Sequence, residues 1–231
     1  MMKLFSRKPS DQQLRARSGE AVTARLEAVP GIRRAPPASA QIYMFDDYLT
    51  PAECEMLIAK IDEQPRPSTL LAPSGDAEFR TSHSCDLDRW NPEIRAVDER
   101  IAALLGIAPE YGETLQGQRY APGQQFKAHC DYFHEGEAYW QDMVASGGQR
   151  TWTAMIFLNH VKEGGATWFP RAGIRITPKP GMLLVWNNLL PGGAVNGDTL
   201  HEGMRVLAGT KYIVTKWFRE RPWLAMDIPT Y

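Results

Sequence analysis

The second half of the chain alternates short runs of apolar, β-branched and aromatic residues with clusters of turn residues. Pairs such as Pro122-Gly123, Gly147-Gly148 and Pro180-Gly181 separate the runs, as expected for β-strands joined by turns. The run from Thr151 to Leu158 is rich in β-branched and aromatic residues, which is typical of a strand. The predicted strands are 115–120, 125–131, 151–158, 165–169, 174–177, 182–187, 199–203 and 211–218.

Two amphipathic helices are predicted before these strands. The first begins at Thr50, which is followed by Pro51 and by Glu53, the residues that favour a helix start. The second begins at Asn91 and ends at Gly106, with apolar residues at helical spacing between them. The interval 64–90 is predicted to be a long, polar and mobile segment.

A weaker helical pattern lies near the N-terminus, where Ser10 and Gln13 form a capping-box pair. The segment 33–39 contains two prolines and is predicted to be a linker, followed by a short strand at 41–45. The apolar positions of this N-terminal helix are Leu14, Val22, Leu26 and Val29.

These elements predict a mainly β fold with flanking helices (α+β). Roughly eight strands after two helices are typical of a double-stranded β-helix, the jelly roll, with helices packed outside it. We therefore expect residues 1–38 to form a basic arm of helix plus linker, and residues 39–231 to form the domain that carries the chemistry. A chain of 231 residues is long enough for one such domain with a sizeable core.

Composition and charge indicate neither nucleic acid nor a membrane as the main partner. The chain is 43% hydrophobic and 23% charged, with a formal net charge of −1. Residues 1–36 carry eight basic and three acidic side chains, so the remainder is acidic. We interpret the basic arm as a solvated helix tied to its own domain; the alternative is a contact for phosphate or an anionic partner.

The cysteines and the absence of targeting signals predict a cytoplasmic protein. There are three cysteines, far apart and odd in number, which favours free thiols in a reducing compartment. Cys130 is predicted to be a small packed residue. No apolar run approaches the roughly 18 residues needed to span a bilayer, and residues 1–7 lack the apolar core of a secretory signal. The oligomeric state is left open.

The most informative chemistry is a His-x-Asp pair with a distant histidine. On a strand, His129 and Asp131 point to the same face and can bind one metal ion together. His201 on a later strand would complete a 2-His-1-carboxylate triad, which leaves positions open for O2 and a co-substrate on Fe(II). Lys211, ten residues further on, would supply a fixed positive charge for an acidic co-substrate.

A His-x-Asp pair alone is weak evidence for a metal site, because a histidine is more often a hydrogen-bonded structural residue than a ligand. Its position at the end of a predicted strand, and the later strands that carry His201 and Lys211, favour the metal site. The alternative from another class is a jelly-roll sensor that binds metal without turnover. A zinc hydrolase is less favoured, because the extra carboxylates near the triad lie in loops without a clear general-base position.

The motifs around these residues resemble the prolyl 4-hydroxylase branch of the Fe(II)/2-oxoglutarate oxygenases, in particular the catalytic domain of its α-subunit. Residues 119–133 resemble that family's block Y-x-x-G-Q-x-Y-x-x-H-x-D-Y-F, and residues 163–170 its run E-G-G-x-T-x-F-P. Residues 201–217 resemble its H-x-G…G-x-K…W. The resemblance extends in order over about 40–220, including Arg80-Thr81-Ser82 and 113–116.

The resemblance implies an enzyme that converts 2-oxoglutarate to succinate and CO2 while it hydroxylates a prolyl residue in a peptide or protein. Iron would lie on His129, Asp131 and His201, with ascorbate as a further reductant. Lys211 would pair with the distal carboxylate of 2-oxoglutarate. Tyr120 and Thr153 would donate hydrogen bonds to the same co-substrate.

The family motif also implies residues on the substrate side: Arg80, Glu113, Phe126 and Trp217. The chain departs from the family at Phe126, where a tyrosine is usual, and at Glu202 to Arg205, where the family has Ala-Gly-Cys-Pro. Because these departures lie on the substrate side, the same chemistry on a free amino acid or small metabolite stays open.

Overall fold

The computed structural model describes residues 10–36, 39–72 and 74–223. The larger of its sheets has eight strands, all antiparallel. In order across the sheet they are β1 (Ile32–Arg34), β2 (Ile42–Phe45), β11 (Leu183–Asn187), β7 (Arg150–Phe157), β14 (Lys211–Arg219), β5 (Gln116–Tyr120), β4 (His83–Asp86) and β3 (Arg66–Pro67).

A smaller, four-stranded sheet and a separate strand pair complete the β structure of the described residues. The order of the smaller sheet is β10 (Ile174–Ile176), β9 (Thr167–Phe169), β12 (His201–Gly203) and β6 (Phe126–His129). The separate pair is β8 (Glu163–Gly164) with β13 (Val206–Ala208).

Helices cover only one face of the larger sheet. Along β7, Trp152, Ala154 and Ile156 belong to the core under the helices, whereas Met155 and Phe157 belong to the core that the two sheets share. This alternation follows from the two-residue period of a strand. The α-helices of the described residues are α1 (Asp11–Ala28), α2 (Pro51–Glu63), α3 (Pro92–Leu105) and α4 (Trp140–Ala145), with 3-10 turns at Pro109–Tyr111 and Gly197–Thr199.

The predicted helix starts are present in the structure. Thr50 and Glu53 exchange capping hydrogen bonds at the start of α2, and the side chain of Asn91 accepts from two backbone N–H groups of α3. Gly106 ends α3 with a φ of 69°, a left-handed conformation that favours glycine. None of the helices in the described part of the chain is both long and apolar enough to cross a membrane.

The predicted jelly-roll core with flanking helices is confirmed, and each of the eight predicted strands is present. Two local predictions were wrong. The interval 64–90 contains β3 and β4, which extend the larger sheet beyond β5. Arg33 and Arg34 belong to β1 rather than to a linker, because they pair with β2.

The N-terminal helix packs onto the rest of the protein. Val22 and Leu26 of α1 are buried in the core under the helices, whereas Leu14, predicted to lie on the same apolar face, is 49% exposed. The helix of the predicted arm therefore packs on the larger sheet together with α2 and α3. Its first residues, 1–9, and the linker residues 37 and 38 lie outside the described part of the chain.

Candidate active site

Three side chains predicted to bind metal come together between β6 and β12. His129 ends β6 and lies directly opposite His201, the first residue of β12. His129 Nε2 lies 3.8 Å from Asp131 Oδ1, and His201 Nε2 lies 3.9 Å from Asp131 Oδ2. One ligand atom from each residue falls within 4.8 Å of the others, so the group can hold a metal ion. Within residues 10–36, 39–72 and 74–223 it is the one such group of His, Cys, Asp and Glu.

Each histidine is oriented by the backbone carbonyl two residues before it, in β6 for His129 and in the 3-10 turn before β12 for His201. Nδ1 of His129 lies 2.8 Å from the carbonyl oxygen of Lys127, and Nδ1 of His201 lies 3.0 Å from that of Thr199. A carbonyl only accepts, so each Nδ1 carries the proton and donates it, which leaves the Nε2 lone pair for a metal. Burial lowers the pKa of His129 to about 3, so this imidazole is neutral at physiological pH, as a ligand must be.

The Asp131 carboxylate is buried and held by hydrogen bonds. Burial alone would raise its pKa, but His201, His129, Arg150 and a hydrogen bond from Thr153 hold that pKa below its ordinary value. Thr153 Oγ1 donates to Asp131 Oδ2 at 2.8 Å, and Asn188 Nδ2 donates to Thr153 Oγ1 at 2.9 Å. The structure thus gives Thr153 a different task from the expected one, since its hydroxyl orients a metal ligand instead of donating to a co-substrate.

A small cavity of about 30 Å³ lies between the two sheets, and the three ligand side chains form part of its wall. Lys211 lines the same cavity and is 1% exposed. Its Nζ lies 5.3 Å from the centre of the Tyr120 ring and 5.5 Å from that of Phe157. No acidic side chain of the described residues lies within ion-pair distance of it, and burial lowers the pKa of Lys211 to about 7. Because a buried charge is costly without a partner, this cavity is built to receive an anion.

Three hydroxyl groups accompany Lys211 in the cavity wall, and one of them, that of Thr215, accepts a hydrogen bond from Gln118. Tyr120, predicted to contact the co-substrate, lines the cavity and donates to Gln118 Oε1 at 2.7 Å. Thr167 also lines it, and its buried Oγ1 has no hydrogen-bond partner among the described residues. Sequence reasoning missed Thr167 as a site residue. In β9, Thr167 and Phe169 are buried while Trp168 between them is exposed. Thr167 is therefore the one polar side chain on the inward face of this strand, and that polarity was the signal for a site residue.

A larger, open cleft of about 970 Å³ lies on the other side of the metal-ligating group, and His129 and Asp131 line both spaces. The four residues predicted on the substrate side, Arg80, Glu113, Phe126 and Trp217, all line this cleft. The structure therefore places a small cavity that holds Lys211 and a larger cleft beside one metal site, and Phe126 and Trp217 line both spaces.

Glu113 and Trp217 are linked by Arg150. Arg150 donates to both carboxylate oxygens of Glu113, at 2.6 and 2.7 Å, and its guanidinium lies 4.2 Å from the centre of the Trp217 ring. Burial would raise the pKa of Glu113, but Arg150 and Arg219 hold it below its ordinary value. The sequence did not assign Arg150 to the site, because its partner lies 37 residues earlier in the chain.

Phe126 and Arg80 form a stack on the first metal ligand. The rings of Phe126 and His129 are nearly parallel, with their centres 3.5 Å apart, and the Arg80 guanidinium lies 4.6 Å from the Phe126 ring centre. Phenylalanine at this position therefore covers one face of a ligand imidazole. The prediction for Cys130 needs correction, because this residue is half-buried and lines the cleft instead of packing in a core.

Comparison with known proteins agrees with this geometry. A sequence profile of the 2OG-Fe(II) oxygenase superfamily matches residues 115–219. Prolyl 4-hydroxylase 1 of Arabidopsis thaliana is 33% identical over 204 residues, which cover 79% of this chain and 70% of that protein. The human prolyl 4-hydroxylase subunit alpha-1 is 32% identical over 187 residues, covering 78% of this chain and 35% of its own length.

A solved structure shows the same likeness. The viral collagen prolyl hydroxylase of Paramecium Bursaria Chlorella virus-1, solved as a 2OG complex, superposes with a TM-score of 0.61 and 26% identity. The match covers 77% of this chain and 95% of the viral one.

Fold, metal-ligating group and anion cavity together define a 2OG-Fe(II) oxygenase, an enzyme that uses Fe(II) and 2-oxoglutarate. Within that superfamily the chain belongs to the prolyl 4-hydroxylase family. The predictions of the family, of the enzyme class and of Fe(II) and 2-oxoglutarate as cofactors are confirmed. The non-catalytic sensor is thereby set aside.

Proposed function

We propose that the protein hydroxylates a proline residue in a peptide or protein, with conversion of 2-oxoglutarate to succinate and CO2. The observation that carries the proposal is Lys211, a buried amine without an acidic partner among the described residues, in the same small cavity as His129, Asp131 and His201. A dicarboxylate with one end on Lys211 and the other at the metal group would neutralise the charge of its ammonium form.

The residues of the cavity have distinct tasks in this reaction. Lys211 binds the distal carboxylate of 2-oxoglutarate, and the unpaired hydroxyl of Thr167 donates to it. The Nε2 atoms of His129 and His201 and the Asp131 carboxylate would hold Fe(II), which when bound would supply the O2 chemistry. Thr153 and Asn188 keep the carboxylate in position. The apolar side chains of Met155 and Ile213 keep water out.

The open cleft supports a peptide as substrate over a free amino acid. Its volume of about 970 Å³ is at the upper end of small-molecule pockets. Aromatic side chains line it, as in grooves that bind extended proline-rich segments. Arabidopsis and human relatives carry the name prolyl 4-hydroxylase. The aromatic residues of the cleft are Phe79, Phe126, Tyr132, Phe133, Tyr139, Trp217 and Trp223.

We also propose that the enzyme works in the cytoplasm with ascorbate as an auxiliary reductant. Support comes from the cysteines: Cys54, Cys85 and Cys130 are all free thiols, as is usual in a reducing compartment. Such a compartment would help to keep iron in its ferrous state. Ascorbate dependence of turnover in purified protein is the direct check.

The test begins with an anaerobic titration of the apoprotein with Fe(II) and 2-oxoglutarate. We expect the visible charge-transfer band of an iron-chelated keto acid, which bleaches when O2 is admitted. With a proline-containing peptide present, succinate should form together with a peptide heavier by one oxygen atom on proline. His201→Ala should abolish the band and the product, whereas His160→Ala, at an exposed histidine outside both spaces, should not.

Two results would contradict the proposal. Full turnover by His201→Ala would remove the metal assignment. A normal band with wild-type protein, but hydroxylation of free amino acids and of no peptide, would replace the peptide substrate by a small metabolite.

A further inference from the structure

The walls of the cleft contain four arginines, and only two of them are neutralised by acidic side chains. Arg66 forms an ion pair with Asp86, and Arg150 forms one with Glu113. For Arg80 and Arg171, no acidic side chain of the described residues lies within ion-pair distance. The remaining carboxylate of the wall, Asp131, belongs to the metal group. The cleft therefore presents two positive charges that the protein itself leaves without a counter-charge.

Arg80 lies in the wall beside Phe126 and is largely shielded from water. It donates to the Thr69 carbonyl at 3.0 Å, to Ser84 Oγ at 3.2 Å and to Gln116 Oε1 at 3.1 Å. Its Nε is buried without a partner among the described residues. These neutral contacts fix the guanidinium in place but do not cancel its charge, so the wall has a positive potential.

Arg171 contributes the second charge from the opposite sheet. It follows β9 of the smaller sheet, is exposed, and borders the cleft together with Tyr132 and Leu200, each of which neighbours a metal ligand in sequence. Nη1 donates to the Gly197 carbonyl at 3.1 Å, which anchors one corner of the guanidinium. The other N–H groups have no protein partner among the described residues and form the planar fork that suits a carboxylate.

We propose that the peptide substrate carries an aspartate or glutamate close to its target proline, and that Arg171 receives this carboxylate. The inference rests on the proposed function, since it concerns the peptide in the open cleft. Arg171 acts as a specificity residue: it contacts the substrate away from the reacting atoms. The charge of Arg80 favours the same acidic peptide over a basic one.

The test compares peptides that differ by a single charge. Three series of equal length, with both termini blocked, carry glutamate, glutamine or lysine at one position, moved from three residues before the proline to three after it. For wild-type enzyme we expect kcat/KM for the best glutamate peptide to exceed that of its glutamine counterpart about five- to tenfold, mainly through KM, because a partly exposed ion pair adds a modest free energy. Added salt should reduce the ratio.

Variants identify the residue responsible. Arg171→Glu should reverse the preference in favour of the lysine peptide, and Arg171→Gln should reduce the acidic preference to the smaller part that Arg80 contributes. Arg175→Glu is the matched control, because Arg175 on β10 is exposed and does not line the cleft. All three variants should give the wild-type Fe(II)/2-oxoglutarate titration, which shows that they fold.

The outcomes separate this inference from the proposed function. Equal kcat/KM for the three peptides at every position, with proline hydroxylated in each, would overturn the acidic preference alone. A preference that persists in Arg171→Glu would overturn the role of Arg171. If no peptide is hydroxylated although the wild-type band forms, the peptide substrate and this inference fail together.

Discussion

The carboxylate of Asp131 depends on a relay of two hydrogen bonds, from Asn188 to Thr153 and from Thr153 to Asp131. Removal of the Thr153 hydroxyl takes one hydrogen-bond partner from the Asp131 carboxylate and one from the Asn188 side-chain amide. Both groups are buried, where the loss of a hydrogen bond is costly. Groups that orient metal ligands affect metal affinity strongly.

We therefore expect Thr153→Val to weaken Fe(II) binding about 10- to 100-fold, while Thr153→Ser retains most of the affinity. The measurement is the Fe(II) dependence of the 2-oxoglutarate band. Thr151→Val is the control: Thr151 lies on the same strand, is buried, and donates to the carbonyl of Phe218 instead. Equal losses in the Thr151 and Thr153 variants would show a general packing effect.

Lys211 makes co-substrate binding sensitive to pH. Burial lowers its pKa to about 7 in the protein without 2-oxoglutarate, and the ammonium form is the one that binds a carboxylate. As the pH rises above 7, binding must therefore take up a proton. The affinity for 2-oxoglutarate should fall by up to about tenfold per pH unit between about pH 7.5 and 9. Tyr120 and His129, which line the same cavity, each stay in one form there, because burial raises the pKa of Tyr120 and lowers that of His129 to about 3.

The check is the Kd for 2-oxoglutarate as a function of pH for wild type and Lys211→Arg. Arginine keeps its charge over this range, so the pH dependence should disappear in the variant, whatever its absolute affinity. The stability of the unliganded protein has the opposite trend. Between about pH 7 and 10.4 the Lys211 side chain is protonated in the unfolded chain but largely neutral in the folded protein, so the free energy of unfolding rises with pH. A flat wild-type Kd would contradict the role of Lys211.

At the scale of elements, a metal ion would link two strands of the smaller sheet. β6 is the last strand of that sheet and pairs with β12 on one side, while on its other side Phe126 forms a single bridge with Arg80. One ligand histidine comes from each strand, in positions that face each other across the ladder. Metal binding therefore adds its free energy to this strand pair, because the ligands converge only when the strands are paired.

Amide hydrogen exchange should report this link. A redox-inert ion such as Zn(II), at a concentration 100 times its Kd, adds about 2.7 kcal/mol to the bound state. Exchange in β6 and β12 should slow by up to about 100-fold, while β7 and β14 in the larger sheet change little. The same ion added to His201→Ala should have no such effect. Equal slowing in all strands would show that metal stabilises the protein as a whole and does not act on this strand pair.

The N-terminal helix is also tied to the cleft region. Arg15 of α1 forms ion pairs with Glu220, beyond β14, and with Glu135, in the segment between β6 and α4. That segment supplies Phe133, His134 and Tyr139 to the cleft. Arg15, one of the basic residues of the arm, is thus paired with acidic residues of the same protein, in agreement with the interpretation of α1 as a helix tied to its own domain.

At the scale of the whole molecule, the sequence predicted the architecture because strand and helix signals are local. Eight strands showed alternating or β-rich runs between glycines and prolines, and two helices had clear caps. β4 was missed because its sequence, His83-Ser84-Cys85-Asp86, is polar, although Ser84 and Cys85 are buried. Its burial results from pairing with β5, which the local sequence does not reveal.

The candidate site also divides into residues that the local sequence predicted and residues whose roles depend on the assembled fold. His129, Asp131, His201 and Lys211 were found because their residue types and spacing are specific. Thr153 was expected to donate to the co-substrate and Thr167 was missed, because both are threonines on inward-facing strand positions and differ only in what surrounds them. The partner of Thr153 in the relay, Asn188, lies 35 residues away, and the lack of a partner for Thr167 is a property of the assembled core.

The position of β14 has a consequence for the way the chain is made. It is the last described strand, yet it lies inside the larger sheet between β7 and β5. During synthesis the four strands on one side of β14 and the three on the other are made before it. Until β14 pairs with them, β7 and β5 have unpaired edges, which are prone to wrong pairing. Lys211 is the first residue of this strand. The same strand therefore completes both the sheet and the co-substrate site, and a chain made only as far as β11 lacks the cation that would hold 2-oxoglutarate.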